Sequence, residues 1–355
     1  MRDMKPPGAY LDSLSGFSDI LGTIKQAENA AKELLIETAN DRSEFSNKVK
    51  TKNDETAKEN NAKKVEPQAS ETQAEEAPVP EKTLEELLET LDDLIGLDGI
   101  KQNVKSLINY VKIRKLREEN ELPNPPLSLH MVFSGNPGTG KTTVARILSE
   151  LYRAIGVLSK GQLVEVDRSG LVAGFVGQTA LKTSEVVSSA LGGILFIDEA
   201  YALAPDVGTG NDFGREAIEA LLKLMEDHRD DLIVIVAGYS EPMERFITSN
   251  PGLESRFNRY FFFEDYNSDE LYAIFDIMCI RSEYILTDDA KDYAREHFRV
   301  IYDQRDDNFG NARHVRNFFE NIVTVHSDRV SKLDGHTRDD LTMVIREDLE
   351  NAAEM

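Results

Sequence analysis

Apolar positions along this chain fall into successive patterns, and each pattern predicts a different kind of structure. Ile20, Leu21, Ile24, Ala27, Ala31, Leu34 and Leu35 recur at helical spacing and predict a short amphipathic helix. From about residue 40 to 81 the chain is mostly Lys, Glu, Asn, Gln, Ala and Pro, and no aromatic residue occurs between Phe45 and Tyr110. That is the composition of a solvated linker. Order resumes at Thr83, which with Glu86 forms a capping-box pattern ahead of Leu84, Leu87, Leu88, Leu91 and Leu94. A second helix is predicted from about Ile100 to Glu119. The spacing then changes to short β-type runs at 129–134, 163–166, 193–197, 232–237 and 260–263, separated by helical or loop segments. Such alternation is the signature of a parallel sheet covered by helices on both faces, so the expected fold class is α/β. After Tyr266 the strand patterns stop, and helical patterns near 268–281, 287–298 and 311–331 imply a small all-helical domain. The expected organisation is an N-terminal helical segment over 1–40, a linker over 41–82, an α/β domain over 83–265 and a helical domain over 266–355.

Charge narrows the function. A formal net charge of −23 argues against a phosphate-tracking nucleic-acid surface, which needs clustered Lys and Arg. A lone Cys279 excludes an internal disulfide, and the sequence shows neither a signal-peptide pattern nor an 18-residue apolar run. These features point to a reducing cytoplasm and away from a membrane.

The chemistry begins at residues 135–142, Gly-Asn-Pro-Gly-Thr-Gly-Lys-Thr, with the apolar run Leu129 to Phe133 directly before it. Strand, glycine loop and helix in that order make a phosphate-binding loop. Successive backbone N–H groups of Asn136, Pro137, Gly138, Thr139 and Gly140 (proline excepted) turn inward on phosphates, with Lys141, Thr142 and Thr143 opening the helix behind them. Lys141 is expected to reach the outer phosphates and Thr142 to ligate Mg²⁺. The helix that follows carries Val144, Ile147, Leu148 and Leu151 on one face. Further on, Gly193 to Ile197 is an apolar strand that ends in Asp198 and Glu199. At such a strand end Asp198 is expected to hold Mg²⁺ and Glu199 to polarise the attacking water.

Several strings together carry a family resemblance: Asp93-Leu94-Ile95-Gly96-Leu97, Leu163 to Arg168, Phe175-Val176-Gly177-Gln178-Thr179, Phe196 to Tyr201, Ala237-Gly238-Tyr239, Ser249-Asn250-Pro251-Gly252 and Gly310-Asn311-Ala312-Arg313. In this set and its order the chain resembles the CbxX/CfxQ family of AAA+ ATPases, from about Asp92 to Val330. The resemblance implies ATP as the nucleotide and a homo-oligomeric ring, most simply a hexamer, that remodels a protein client. It places Ile95 and Gly96 at the nucleotide and assigns Arg256 as an arginine finger reaching a neighbour's site, with Arg259 as a second candidate. It makes Arg313 the lid arginine that senses the phosphates. It also implies a pore loop at Phe175-Val176-Gly177, in which an aromatic ring grips unfolded chain and glycine lets the loop move. Residues 205–214, with three glycines, read as a second mobile loop. One departure from the wider superfamily is that the fourth strand ends in Gly238-Tyr239-Ser240 and not in an Asn or Thr, so the polar contact to the attacking water falls to Tyr239 or Ser240. A nucleotide-gated scaffold with slow hydrolysis is the alternative from another class. No residue here marks a sugar-phosphate effector site, so Rubisco activation is not carried over from the family, and the charge disfavours a nucleic-acid motor.

Overall fold

The computed structural model describes residues 82–125, 128–175, 177–204 and 213–355. The predicted N-terminal helix, the linker up to residue 81, Val176 and residues 205–212 of the second loop lie outside the described residues.

The first helix, α1 (Leu84–Asp92), starts where its capping box predicts: the Glu86 amide donates to Thr83 Oγ1 at 3.2 Å, and the Thr83 amide donates to Glu86 Oε2 at 2.7 Å. Leu87 and Leu91 are its buried positions. A sharp turn through Gly96 and Leu97, both at φ 60°, leads into α2 (Asp98–Glu119). The strands follow as β1 (Met131–Gly135), β2 (Leu163–Val166), β3 (Ile194–Ile197), β4 (Ile233–Gly238) and β5 (Arg259–Phe263). Among the described residues these five form one sheet in the order β2-β3-β4-β1-β5, and every pairing is parallel.

Parallel strands buried on both faces must be apolar throughout, and β4 is buried at every position. Its residues alternate between two cores. Ile233, Ile235 and Ala237 pack with α1, α2 and α3 (Lys141–Ala154), whereas Val234 and Val236 face α5 (Thr179–Ala190), α6 (Phe213–Asp227) and α7 (Ser240–Thr248). Two short helices complete this layer: α4 (Arg168–Leu171), after β2, and α8 (Pro251–Arg256), just before β5. At the β1 edge of the second layer, buried His130 takes a ladder position: its Nδ1 accepts the Val234 amide at 3.0 Å. Burial, and then the nearby Arg256 charge, push its pKa down to about 4, so the ring is the neutral acceptor this bond requires.

The C-terminal domain has its own core of Phe275, Phe298 and Phe318, whose ring centroids lie 5.5–5.9 Å apart. Its main helices are α9 (Ser268–Arg281), α10 (Asp288–Asp303) and α11 (Asn311–Val330), with α12 (Arg338–Thr342) and α13 (Arg346–Ala353) behind them. The expectation that strands end at Tyr266 holds for the main sheet. The helical domain adds one small parallel ladder, Ile285–Leu286 (β6) with Met343–Val344 (β7), too short to leave a periodic signal. No helix among the described residues is long and apolar enough to cross a membrane.

Candidate nucleotide site

The chain leaves β1 for the far edge of the sheet, returns through β3 and β4, and then passes to β5 on the other side of β1. Ligands of open parallel sheets bind at such a reversal, outside the carboxyl ends of the strands. Here the loop after β1, the acids after β3 and Tyr239 after β4 meet in a cleft of about 510 Å³. That size suits a small-molecule ligand.

Glycine is required where the loop turns tightest. Gly138 has φ 73°, and a Cβ there would lie 2.4 Å from Gly310 O and 2.7 Å from Arg313 N, so the phosphate loop and the start of α11 approach backbone to backbone. Ala312 N–H donates to Gly138 O at 3.2 Å across this seam. Lys141 Nζ folds back onto the loop and donates to Gly135 O at 2.8 Å and Asn136 O at 2.7 Å. Burial lowers the Lys141 pKa to about 8; Asp198 opposes that shift and Arg313 adds to it. A partly desolvated ammonium held only by neutral oxygens, two carbonyls and the Thr139 hydroxyl at 3.4 Å, is well placed to exchange them for phosphate oxygens.

Asp198 and Glu199 stand where β3 stops. The Asp198 amide still donates to Val166 O at 2.8 Å, extending the β2 ladder by one bond. Glu199 then turns to φ 48°, a left-handed conformation uncommon for a non-glycine residue, and its amide donates to Asp198 Oδ1 at 3.0 Å. The turn ends the strand at once and leaves both carboxylates at the cleft. Thr142 lines the same cleft as Asp198. One hydroxyl and one carboxylate suit Mg²⁺, which keeps waters and phosphate oxygens as its other ligands. Among the described residues no group of three or more His, Cys, Asp or Glu side chains is placed to hold a metal ion.

Of the residues singled out in the sequence, Ile95, Pro137, Gly138, Gly140, Lys141, Thr142, Thr143, Asp198, Glu199 and Arg313 come together in the cleft. Gly96, Asn136 and Thr139 do not line it. Gly96 packs against Glu270 and Tyr266, Asn136 Nδ2 donates to Asp265, and Thr139 is buried with its hydroxyl donating to Asn136 O at 2.8 Å. Arg256 and Arg259 lie elsewhere. Arg256 ends α8, a helix set by its Asn250 cap and Pro251 at the first turn. Its Nη2 is 3.6 Å from Glu226, and its buried Nε has no hydrogen-bond partner among the described residues. Ser128 fastens this corner: its Oγ donates to Arg256 O at 2.7 Å, and its O accepts Arg259 Nε at 3.1 Å. The Arg259 guanidinium lies 5.9 Å from the Tyr110 ring centre. Phe175 is 72% exposed, and Gly177 beside it has φ 78°.

Residues 131–265 match the ATPase family associated with various cellular activities (AAA), and residues 267–355 match the AAA lid domain. The chain is 42% identical over 270 residues to a CfxQ homolog of Galdieria sulphuraria, covering 75% of this chain and 87% of that protein. It is 40% identical over 270 residues to the chloroplastic ribulose bisphosphate carboxylase/oxygenase activase of Cyanidioschyzon merolae, covering 75% and 91%. With stage V sporulation protein K of Bacillus subtilis it shares 39% identity over 267 residues, covering 75% and 82%. The chain belongs to the CbxX/CfxQ family of AAA+ ATPases. It binds and hydrolyses ATP, with a C-terminal AAA lid over the cleft.

In this AAA+ protein the lid contributes cleft residues that single motifs did not reveal. Ile274, Ile277, Met278 and Arg281 line the cleft from α9, and Arg316 does so one turn after Arg313 on α11. Their spacing marks one helix face in the sequence. Which face meets the phosphate loop is decided by lid packing.

Proposed function

We propose that this AAA+ ATPase works as a ring, a hexamer, in which Arg256 of each subunit completes the site of its neighbour and the Phe175 loops pull on a protein chain in the central channel. One observation carries the reading: Arg256 is absent from the wall of its own cleft, yet it is presented at a helix end with its side chain only 28% exposed and its Nε unpaired. A rigidly seated guanidinium with an unused donor suits a role in trans. The exposed Phe175 beside a positive-φ glycine supports the grip on the client.

In this reading Lys141 leaves the carbonyls of Gly135 and Asn136 and takes the β- and γ-phosphates, while the loop amides hold the remaining oxygens. Thr142 and Asp198 would hold Mg²⁺, which would supply neutralising charge to the phosphates. Glu199 accepts the proton of the attacking water. The neighbour's Arg256 stabilises charge on the transferring group, a term on the order of 10³–10⁵ in rate for related hydrolases. Arg313 reads the phosphates from the lid, and the lid angle changes between nucleotide states. Relatives named for Rubisco activation and for sporulation share this core, so the reading ends at a protein client.

The test is the light-scattering mass of a Glu199→Gln variant in Mg²⁺-ATP, with a chain mass of 39.8 kDa as the unit. A six-subunit particle whose residual hydrolysis disappears with Arg256→Ala supports the ring. A monomer or dimer under every nucleotide condition removes it. With a client in hand, Phe175→Ala is expected to keep ATP hydrolysis and lose remodelling.

A further inference from the structure

The phosphate loop and the lid share a polar clip that none of the nucleotide-contacting roles above uses. At its centre is Asp265, the first residue after β5 and Glu264 on the path into the lid. Its Oδ1 accepts Asn311 Nδ2 at 2.7 Å, and both of its oxygens accept Asn136 Nδ2, at 3.0 and 3.1 Å. Asn136 belongs to the phosphate loop and Asn311 opens the lid helix α11. Asn311 is fully buried at φ 48°; its Oδ1 accepts the Tyr266 amide at 2.8 Å, and its Nδ2 also donates to Phe309 O at 3.0 Å and, across to the loop, to Pro137 O at 3.4 Å. Tyr266 Oη donates to Thr139 O at 3.4 Å.

Both amide groups facing Asp265 are donors; Oδ1 accepts from both, and Oδ2 accepts from Asn136 as well. A carboxylate accepts at both oxygens, whereas an asparagine would keep the two bonds to Oδ1 only as weaker neutral ones and set an NH₂ against Asn136 Nδ2 at the Oδ2 place. The clip sits at the base of the lid, close enough to the phosphate loop for the Asp265 charge to act on Lys141. Asn136 and Asp265 line a separate cavity with Tyr302 and Arg305, and neither lines the nucleotide cleft.

We propose that Asp265 is a positioning residue that ties the phosphate loop to the lid and thereby sets how fast nucleotide leaves. Nucleotide lies between the loop on one side and the α9 and α11 residues on the other, so it exits when the lid swings off the loop. Asp265 holds the two together through Asn136 and Asn311, in parallel with whatever Arg313 contributes through the phosphates. The inference rests on the nucleotide-site assignment made above.

The experiment is the dissociation rate of ADP carrying a fluorescent N-methylanthraniloyl group, measured by stopped-flow on the full chain. Asp265→Asn and Asn136→Ala are each expected to speed release about tenfold, the scale of one charge-assisted hydrogen bond. The double variant is expected to release no faster than Asp265→Asn alone, because both changes cut the same link. Loss of the bond is expected to lower the nucleotide-free melting temperature by only a few degrees, so release measured well below that temperature is the readout that a merely structural role would not move. An unchanged release rate in Asp265→Asn, or a double variant faster by the product of the two factors, overturns the proposal. Asn136→Ala, at a half-buried loop position, keeps the test open if Asp265→Asn fails to fold. Lys141→Ala separates the two levels: if it still binds the probe with parental affinity, the nucleotide-site assignment fails, and if it loses binding while Asp265→Asn is silent, only the clip fails.

Discussion

Gly138→Ala is the substitution for which the structure gives the sharpest expectation. The position has φ 73°, so any side chain incurs roughly 1–2 kcal/mol of left-handed strain. In a chain of this size that corresponds to a fall in melting temperature of about 1–4 °C. The larger consequence is steric. The new methyl would sit 2.4 Å from Gly310 O and 2.7 Å from Arg313 N, both backbone atoms that no rotamer change can move. The start of α11 must retreat by about 1 Å to restore ordinary contact, in an interior that resists compression. Arg313 hangs from that segment and lines the cleft, so it retreats too. Displacements approaching 1 Å at a catalytic group cost on the order of 10²-fold, and a drop of roughly 10- to 100-fold in kcat is expected. Steady-state ATP turnover in the parental and Arg313→Ala backgrounds checks the route. If the lid displacement is the cause, Gly138→Ala costs much less once Arg313 is gone. An equal factor in both backgrounds would show that the methyl acts on the loop alone, and the lid argument would be wrong.

Two further expectations concern the same cleft. Lys141 titrates near pH 8 in the free protein because burial disfavours its charge, whereas bound phosphate favours the ammonium; ATP affinity should therefore fall by about tenfold per unit as pH rises above 8. Equilibrium binding between pH 7 and 9 measures this, and a pH-independent affinity, or the same slope in Lys141→Arg, contradicts it. At the end of β4 a side chain at position 238 is excluded, since a Cβ there would stand 2.7 Å from the Tyr201 ring. Tyr239 lines the nucleotide cleft, and Ser240 lines the separate cavity. Tyr239→Phe should slow turnover about tenfold, as for one lost hydrogen bond near the reacting water, and Ser240→Ala should leave it unchanged; parental turnover in Tyr239→Phe would dismiss the hydroxyl.

Much of this site was legible because its physics is local. A glycine loop followed by Lys141 and Thr142 can cradle phosphate only between a strand and a helix, and Met131–Gly135 and Lys141–Ala154 supply both. The burial of Val144, Ile147, Leu148 and Leu151 follows from 3.6-residue periodicity, and the all-apolar run 232–237 follows from a strand covered on both faces. The Thr83 and Glu86 cap is likewise a matter of residues three apart. Other features depend on groups that meet only after folding. Asn136 reads as a phosphate-loop residue, yet its side chain turns to Asp265, 129 residues away. Gly138 reads as a flexible loop glycine, but it is required because another domain's backbone stands within contact distance. Arg256 does not line its own cleft, because α8 and the Ser128 bond to Arg256 O fix where that helix ends. Sequence by itself therefore determined the main elements, their order and the phosphate chemistry, since each is set by spacing within one helix, strand or loop, while the two-residue ladder of the lid left no such signal. The seating of the lid on the loop, the carboxylate that joins them and the face of α9 that meets nucleotide were decided by tertiary structure, because they depend on packing between segments whose separation in the chain carries no periodic signal.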